Sequence, residues 1–484
     1  MVKRKASSSP SEPEVQGTPK RVHVEDWPAP LRARELAADF IKRVAASPHL
    51  CLLVPDKDAD GLSSGVILYR TLIGLGKSAE SIGVHHIGAG QRPGSRSQRR
   101  VFEKSGARWI IVLDQGSAPS PALTTTAERG WNAPEDDEEV VRTLVIDHHH
   151  VDDLDQAGPK GSLLVNASRH EPVATSSLLA WVICKPLLAE VIGEKEADDR
   201  LKYLAIIGTC GDLSTSVKWD PPWPDLSPEL KRWGKSKIGE AVALLNAPRR
   251  TPLHDAHVSW DALMASKTPP DLLSTTTNPG LLRLAEARRQ VKDETERCTH
   301  TPPKFSKDSR VALLTIDSPF QVHPSIATRW AGTLRGAKRL QVVMCANLGF
   351  GTVVTHSDED EEKAAKIKEE GEDKTNMERY VHFSCRIAGS AKGRGEEVNI
   401  ISILREYAAL DPTFLKDLEA TGHEGGFANG HVQAAGSILP RSFWDRFVSL
   451  MEIGIKAEGT SSSPSKGKKV AVQSNKLTAY FSQA

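Results

Sequence analysis

Three short apolar runs each end in side chains that bind cations. LCLLV (50–54) runs through a proline into Asp56-Lys-Asp58-Ala-Asp60-Gly, RWIIVL (108–113) stops at Asp114, and RTLVI (142–146) stops at Asp147-His148-His149. Continuous apolar runs of this length, alternating with helical patterns, predict strands buried on both faces of a parallel sheet. Open parallel sheets bind ligands beyond the carboxyl ends of their strands, so these carboxylates and imidazoles are expected to converge there. A single Asp in such a place is as well explained as a turn former; three strands ending alike are not. That density of negative charge is costly without a compensating cation. Mixed carboxylate and imidazole donors favour Mn2+ or Mg2+ over a calcium cage or a thiolate zinc site. Two adjacent ions suit phosphoryl displacement, because together they hold the attacking and the leaving oxygen. The residues alone therefore predict dinuclear, metal-assisted phosphoester hydrolysis.

Around these runs the chain reads as α/β. A helix pattern follows the first acidic turn (LSSGVILYRTLIGLG), GSLLV forms a further strand before Asn166, and helical patterns cover 172–192 and 197–208. The segment 280–297 reads as a long, exposed connecting helix. A second α/β unit follows, with strands in VALLTI (311–316), RLQVVMCANLGF (339–350) and VHFSCRIA, a helix near 323–335 and two more helices. The expected fold is thus a parallel-sheet domain joined by a long helix to a smaller α/β domain. A length of 484 residues and a hydrophobic fraction of 39% suffice for two or three such cores. No apolar run reaches the ~18 residues of a membrane span, and the start MVKRKASSSP lacks the apolar stretch of a secretory signal. Six scattered cysteines with no CxxC pair exclude a disulfide scaffold and a zinc finger, and fit a reducing compartment.

The order of motifs is more specific than any one of them. DKDADG, LDQGS, DHH and GTCGDL resemble, in sequence order, the motifs of the DHH phosphoesterase superfamily, and most closely its RecJ-like single-strand exonuclease branch. IGEAVALLNAPRRT, with Asn246, Ala247 and Arg249, resembles that branch's LLNAxGR element. FSCRIA and GGFANGHVQAAG resemble the S-x-R strand and glycine motif of the DHH-associated C-terminal domain. The resemblance spans roughly 40–456. It implies two divalent ions, Mn2+ or Mg2+, with Asp56 and Asp58 on one, Asp60, His148 and Asp212 on the other, and Asp114 bridging both. It implies that His149 contacts the scissile phosphate and that Asp147 orients the histidine pair. His150 has no counterpart, and Asp56 stands where some relatives carry His. In the second domain it implies a substrate grip by Arg386, Gly430, His431, Ala434, Ala435 and Gly436, with Arg249 from the first. Asn429 stands where the family pattern has Gly, and Asn tolerates positive φ better than most residues.

The implied division is a tail over 1–28, a DHH catalytic domain over 29–255, a helical linker over 256–300, a C-terminal substrate-binding domain over 301–456 with an acidic insertion at about 357–376, and a tail over 457–484. The first tail carries Lys3-Arg4-Lys5 and Lys20-Arg21, spaced like a bipartite nuclear localisation signal. In the last, Leu477, Tyr480 and Phe481 are spaced as in a PCNA-interacting peptide, with Ser474 in place of the usual Gln. Arg92, Arg96, Arg99 and Arg100 are expected in a loop (GAGQRPGSRSQRR) that either contacts a nucleic-acid backbone or is simply solvated. Trp219, Trp223 and Trp233 read as packing residues rather than base stackers. The 63 basic and 62 acidic residues nearly cancel only in sum. Acids gather in the proposed site and in two loop insertions, bases in the tails and at 92–100, so a nucleic-acid substrate is not excluded.

The predicted function is a nuclear, RecJ-like exonuclease on single-stranded nucleic acid, DNA favoured, in replication or repair. Its 5′→3′ polarity is implied by the resemblance, and a sliding clamp is its expected partner. The alternatives are a phosphodiesterase for short oligonucleotides or cyclic dinucleotides, and a non-catalytic replication scaffold like the RecJ-like subunit of the eukaryotic replicative helicase.

Overall fold

The computed structural model describes residues 26–455, apart from 89, 135–136, 138, 335–337, 351–379 and 422–426. The two basic clusters of the first tail, the 357–376 insertion and Leu477, Tyr480 and Phe481 lie outside the described residues.

The first half is a five-stranded, wholly parallel sheet in the order β2-β1-β3-β4-β5, formed by β1 (Cys51–Pro55), β2 (Ile82–Val84), β3 (Trp109–Leu113), β4 (Arg142–Asp147) and β5 (Leu163–Asn166). Its strands read as continuous apolar runs because both faces are covered. Leu53, Ile111, Leu113, Leu144 and Ile146 face a core shared with helices α1 (Leu31–Ala46), α2 (Ala59–Gly74), α4 (Ser176–Ile192) and α5 (Glu194–Leu213). Leu52, Val54, Ile110, Val112 and Val145 alternate with them. They face Phe102 of α3 (Arg96–Ser105) on the other side. From β1 the chain crosses to β2 on one side, then passes back to β3 on the other. The carboxyl ends of β1 and β3 therefore flank the point where strand order reverses, where such sheets leave a crevice.

Helix α9 (Leu281–Thr299) is the expected connector, exposed except for a stripe through Leu284, Val291, Thr295 and Cys298. It leads to a six-stranded mixed sheet in the order β10-β11-β9-β8-β7-β6. Here β6 is Lys304–Phe305, β7 Val311–Ile316, β8 Val342–Asn347, β9 Tyr380–Ile387, β10 Asn429–His431 and β11 Ala434–Pro440. Only β7 and β8 run parallel among the described residues. Trp219 and Trp223 are buried in the first core, each against the other at 5.3 Å, as packing residues.

Two local expectations need correction. The segment 92–100 is a loop only as far as Ser95, because Gln98 and Phe102 face inward at helical spacing and carry Arg96, Arg99 and Arg100 onto α3. Asn429 needs no positive φ, because it lies in β10 of the β10–β11 hairpin, whose second strand pairs along β9.

Leu204 of α5 is fully buried in the first core, whereas Leu282 of α9 is 75% exposed. Leu204→Ala is expected to cost about 2–5 kcal/mol in urea unfolding, and Leu282→Ala less than about 0.5 kcal/mol. Equal losses would contradict this assignment of the core.

Candidate metal centre

The acidic turn after β1 is shaped by its own backbone needs. The Asp56 N–H donates to the Leu113 carbonyl at 2.9 Å, which carries the chain one residue past the sheet toward β3. Asp58 caps α2, its Oδ1 accepting from the Asp60 and Gly61 amides at 3.1 and 3.2 Å. Its other oxygen faces Arg249 Nη2 at 3.4 Å. The Ala59 N–H donates to Asn246 Oδ1 at 3.0 Å, so the LLNA element clamps this turn from outside.

Asp60 is wholly buried. Its two oxygens accept from the Ser176 and Ser177 amides at 2.8 and 3.0 Å, at the N-terminus of α4, where unpaired amides and the helix dipole favour an anion. Gly208 of the GTCGD motif lies against it; a Cβ there would collide with Asp60 Oδ1 and Ser177 Oγ. Asp114 ends β3 with φ +60, a left-handed conformation that Asp adopts more readily than most residues. The Ser176 hydroxyl donates to its Oδ1 at 2.9 Å. One residue, Ser176, thereby ties the carboxylate in the first turn of α2 to the one that follows β3.

His148 completes the cluster. Its Nε2 lies 3.2 Å from both Asp114 Oδ1 and Asp212 Oδ2 and 3.8 Å from Asp60 Oδ2, yet this buried nitrogen has no well-aligned hydrogen-bond partner. Asp147 plays a different part. It accepts from the Ser117 amide at 3.0 Å, the His148 amide at 2.7 Å and the His149 amide at 3.3 Å, and pairs with His149 Nδ1 at 2.7 Å. These bonds hold the two histidines in place, and Asp147 also lies within ligand distance of donor atoms of Asp114 and His149.

The electrostatics call for a cation. Burial, and then the charges of Asp60, Asp58 and Asp212, push Asp114 well above the usual carboxylate range. Burial and Asp212 raise Asp60 to about 6, and burial and Asp58 raise Asp56. Asp58 goes the other way: burial opposes its ionisation, but Arg249 and the Gly61 amide outweigh it. Burial also opposes charge on His148 and His149. The neighbouring Asp212 in one case and Asp147 in the other raise both to about 9.

Donor atoms of Asp56, Asp58 and Asp114 lie close enough together for one ion, and those of Asp60, Asp114 and His148 for another, with Asp114 common to both. Asp212 adjoins the second group through His148. The unaligned His148 nitrogen and the crowded, raised carboxylates fit divalent metal ions, which would neutralise the charge that otherwise opposes itself.

The second domain closes over this cluster. His431 of β10 stacks on His149, with centroids 4.9 Å apart and planes 19° apart, and sits 4.9 Å from His148. Burial and the two neighbouring histidines lower it to about 3, so it is neutral. Arg249 Nη1 approaches Gln321 Oε1 at 3.5 Å, Arg250 Nη1 donates to Ser325 Oγ at 2.9 Å, and Arg405 holds Asp152 at 2.9 and 3.2 Å. Arg386 lies apart from the acid cluster, its Nη1 donating to the Cys385 carbonyl at 2.8 Å. Ala434, Ala435 and Gly436 pair with Arg386, Cys385 and Ser384 in the sheet. Positive φ falls on Ala428 (58) and Gly430 (116), not on Asn429, which lies in β10. Ser176, Ser177 and Asn246 were not among the expected site residues. A Ser/Thr run opening an apolar helix was the available signal for the first two.

Comparison with solved structures identifies the fold. Exonuclease RecJ bound to manganese superposes with a TM-score of 0.51 at 16% identity, covering 87% of this chain and 93% of that one. RecJ of Thermus thermophilus in complex with Mn2+ gives 0.53 at 16%, covering 88% of this chain, which spans 56% of that longer protein. The DHH domain of a protein assigned to a family of ribosomal proteins gives 0.53 at 14%, covering 90% and 93%. No protein-family model and no curated protein matches the sequence. The chain therefore has the RecJ-like DHH fold that the motif order implied.

Protonated His148 and His149 are stabilised by their neighbours only in the folded chain. That contribution is complete below the ordinary histidine value of 6.5 and is lost as pH rises through about 9. The urea midpoint of metal-free protein is expected to fall across this window, and to fall less in Asp147→Asn. Mn2+ affinity, read by calorimetry, is expected to rise over the same window as His148 gives up its proton. A flat response in both would contradict the assigned charges.

Proposed function

We propose that this chain is a RecJ-like, two-metal exonuclease that hydrolyses phosphodiester bonds of single-stranded nucleic acid, with DNA favoured and 5′→3′ polarity. The observation that carries the reading is the sharing of Asp114 between two adjacent groups of ligand atoms. Asp56, Asp58 and Asp114 would hold one Mn2+ or Mg2+ ion, and Asp60, Asp114, His148 and Asp212 the other. When bound, such a pair supplies Lewis acidity at the scissile phosphate.

The chain's own residues do the rest. Asp147 keeps the half-exposed His149 charged at neutral pH, so its imidazolium is ready to hydrogen-bond a phosphate oxygen and to stabilise the charge that develops there. Neutral His431, stacked on it, orients that ring and shields it from water on one side. Arg249, between Asp58 and Gln321, and Arg386 of β9 supply positive charge for the flanking phosphodiesters. Gly430, Ala434, Ala435 and Gly436 shape the hairpin that presents His431. On this reading a single strand would pass between the two domains. The intact ligand set speaks against a scaffold that has lost the site.

Basic clusters at 3–5 and 20–21 support nuclear import, and Leu477, Tyr480 and Phe481 support docking to the sliding clamp PCNA. A role in DNA replication or repair follows from that reading.

End-labelled single-stranded DNA, RNA and dinucleotides incubated with Mn2+ or Mg2+ test the proposal. Mononucleotides are expected to leave long strands progressively, and Asp114→Ala is expected to reduce release to background. Much faster cutting of dinucleotides would make the enzyme a short-oligonucleotide phosphodiesterase, and equal release by Asp114→Ala would remove this site from the reaction. For the tail, Tyr480→Ala with Phe481→Ala is expected to abolish clamp binding in a pull-down while free strands are still cut; undiminished binding would discard the motif.

A further inference from the structure

The basic segment 92–100 plays no part in the metal centre, yet the structure gives it a definite place. Arg96, Arg99 and Arg100 stand at i, i+3 and i+4 on α3, and so on one face of that helix. With Lys160 they line a cavity of about 760 Å³ whose opposite wall is the 120–125 segment. The acids in this cavity are already engaged: Glu103 Oε2 accepts from the Thr125 amide at 3.0 Å, and Glu128 pairs with Lys160. Arg99 is half-buried, and its Nε is enclosed without a hydrogen-bond partner. A buried donor ordinarily has a partner, and an anion in the cavity would supply one to this N–H.

One wall of the cavity is tied along the chain to the segment that supports the candidate metal centre. Its wall begins a few residues beyond Ser117, whose amide holds Asp147. That wall is braced rather than loose. The Ser117 carbonyl accepts from the Gly158 N–H, Ser120 N–H donates to the Gly158 carbonyl at 3.2 Å, and Lys160 N–H donates to the Ser120 carbonyl at 3.0 Å. A braced, cationic groove thus lies beside α3, on the face of the first sheet that Phe102 and Leu123 cover.

We propose that the Arg96–Arg99–Arg100 groove is a second binding site, which takes the phosphate backbone of a nucleic-acid strand some nucleotides away from the bond being cut. It rests on the proposed function for its ligand class, but not for its geometry. The groove makes long strands bind better than short ones without touching the chemistry, and the recognition is of charge, not of sequence.

Affinity for a long fluorescent single strand, measured in EDTA across a salt series, tests this separately from catalysis. Each phosphate neutralised on a single strand adds about 0.7 to the slope of log affinity against log salt. The full-length triple variant Arg96→Ala/Arg99→Ala/Arg100→Ala is therefore expected to lose about 2 from that slope. Its dinucleotide hydrolysis in Mn2+ stays at the wild-type level. The matching triple lysine variant retains the slope, because charge is kept. An unchanged slope in the alanine variant overturns the groove, as does an equal loss in the lysine variant, which would mark the arginines as structural. Wild-type protein that binds strands with the expected slope but cuts nothing in Mn2+ overturns the proposed function and leaves the groove standing.

Discussion

The carboxylate of Asp114 is the point on which the rest of the molecule depends. It lies where strand order reverses, at the end of β3, beside the acidic turn that follows β1. Its backbone takes a left-handed φ to reach that position, and the Ser176 hydroxyl holds one of its oxygens. Folding drives Asp56, Asp58, Asp60, Asp114 and Asp212 together against their mutual repulsion. The α4 amides on Asp60 and Arg249 on Asp58 relieve part of it; divalent cations would relieve the remainder. Strain and like-charge crowding of this kind persist only where the surrounding structure holds them in place and function uses them.

The arrangement also explains why two domains are needed. The clustered carboxylates come from the first, but the imidazole pair beside them is covered by His431 from the second. Arg249 to Gln321 and Arg250 to Ser325 join the domains through hydrogen bonds, and Asp152 and Arg405 join them through an ion pair. Exposed ion pairs of this sort contribute little stability. Their value is positional, since they set how closely the hairpin approaches the histidines.

Much of this was legible in the chain because the ligands follow directly on apolar strands. Strand ends in a parallel sheet are brought to one edge by topology, so Asp56, Asp114 and His148 needed no tertiary information to be grouped. Asp212 was harder: it lies in the last turn of a helix, and only motif order pointed to it. Ser176, Ser177 and Asn246 escaped because each acts through hydrogen bonds to partners far away in sequence. The three residues of β2 were missed as too short to carry a pattern. The hairpin within the glycine motif was not legible because glycines and alanines carry no strand pattern; here they permit close pairing with β9.

By itself, then, the sequence determined the chemical inventory: five carboxylates and two imidazoles at the ends of buried strands, two α/β units and a charged connector. Local pattern suffices for that, because periodicity and side-chain type act over a few residues. Tertiary structure decided what each group can do. It put Asp114 within reach of both donor sets, engaged Asp147 in hydrogen bonds to the histidines, and laid His431 on His149. It also turned a basic segment into one face of a groove. Those outcomes depend on distances between residues tens to hundreds of positions apart, which only the packed chain sets.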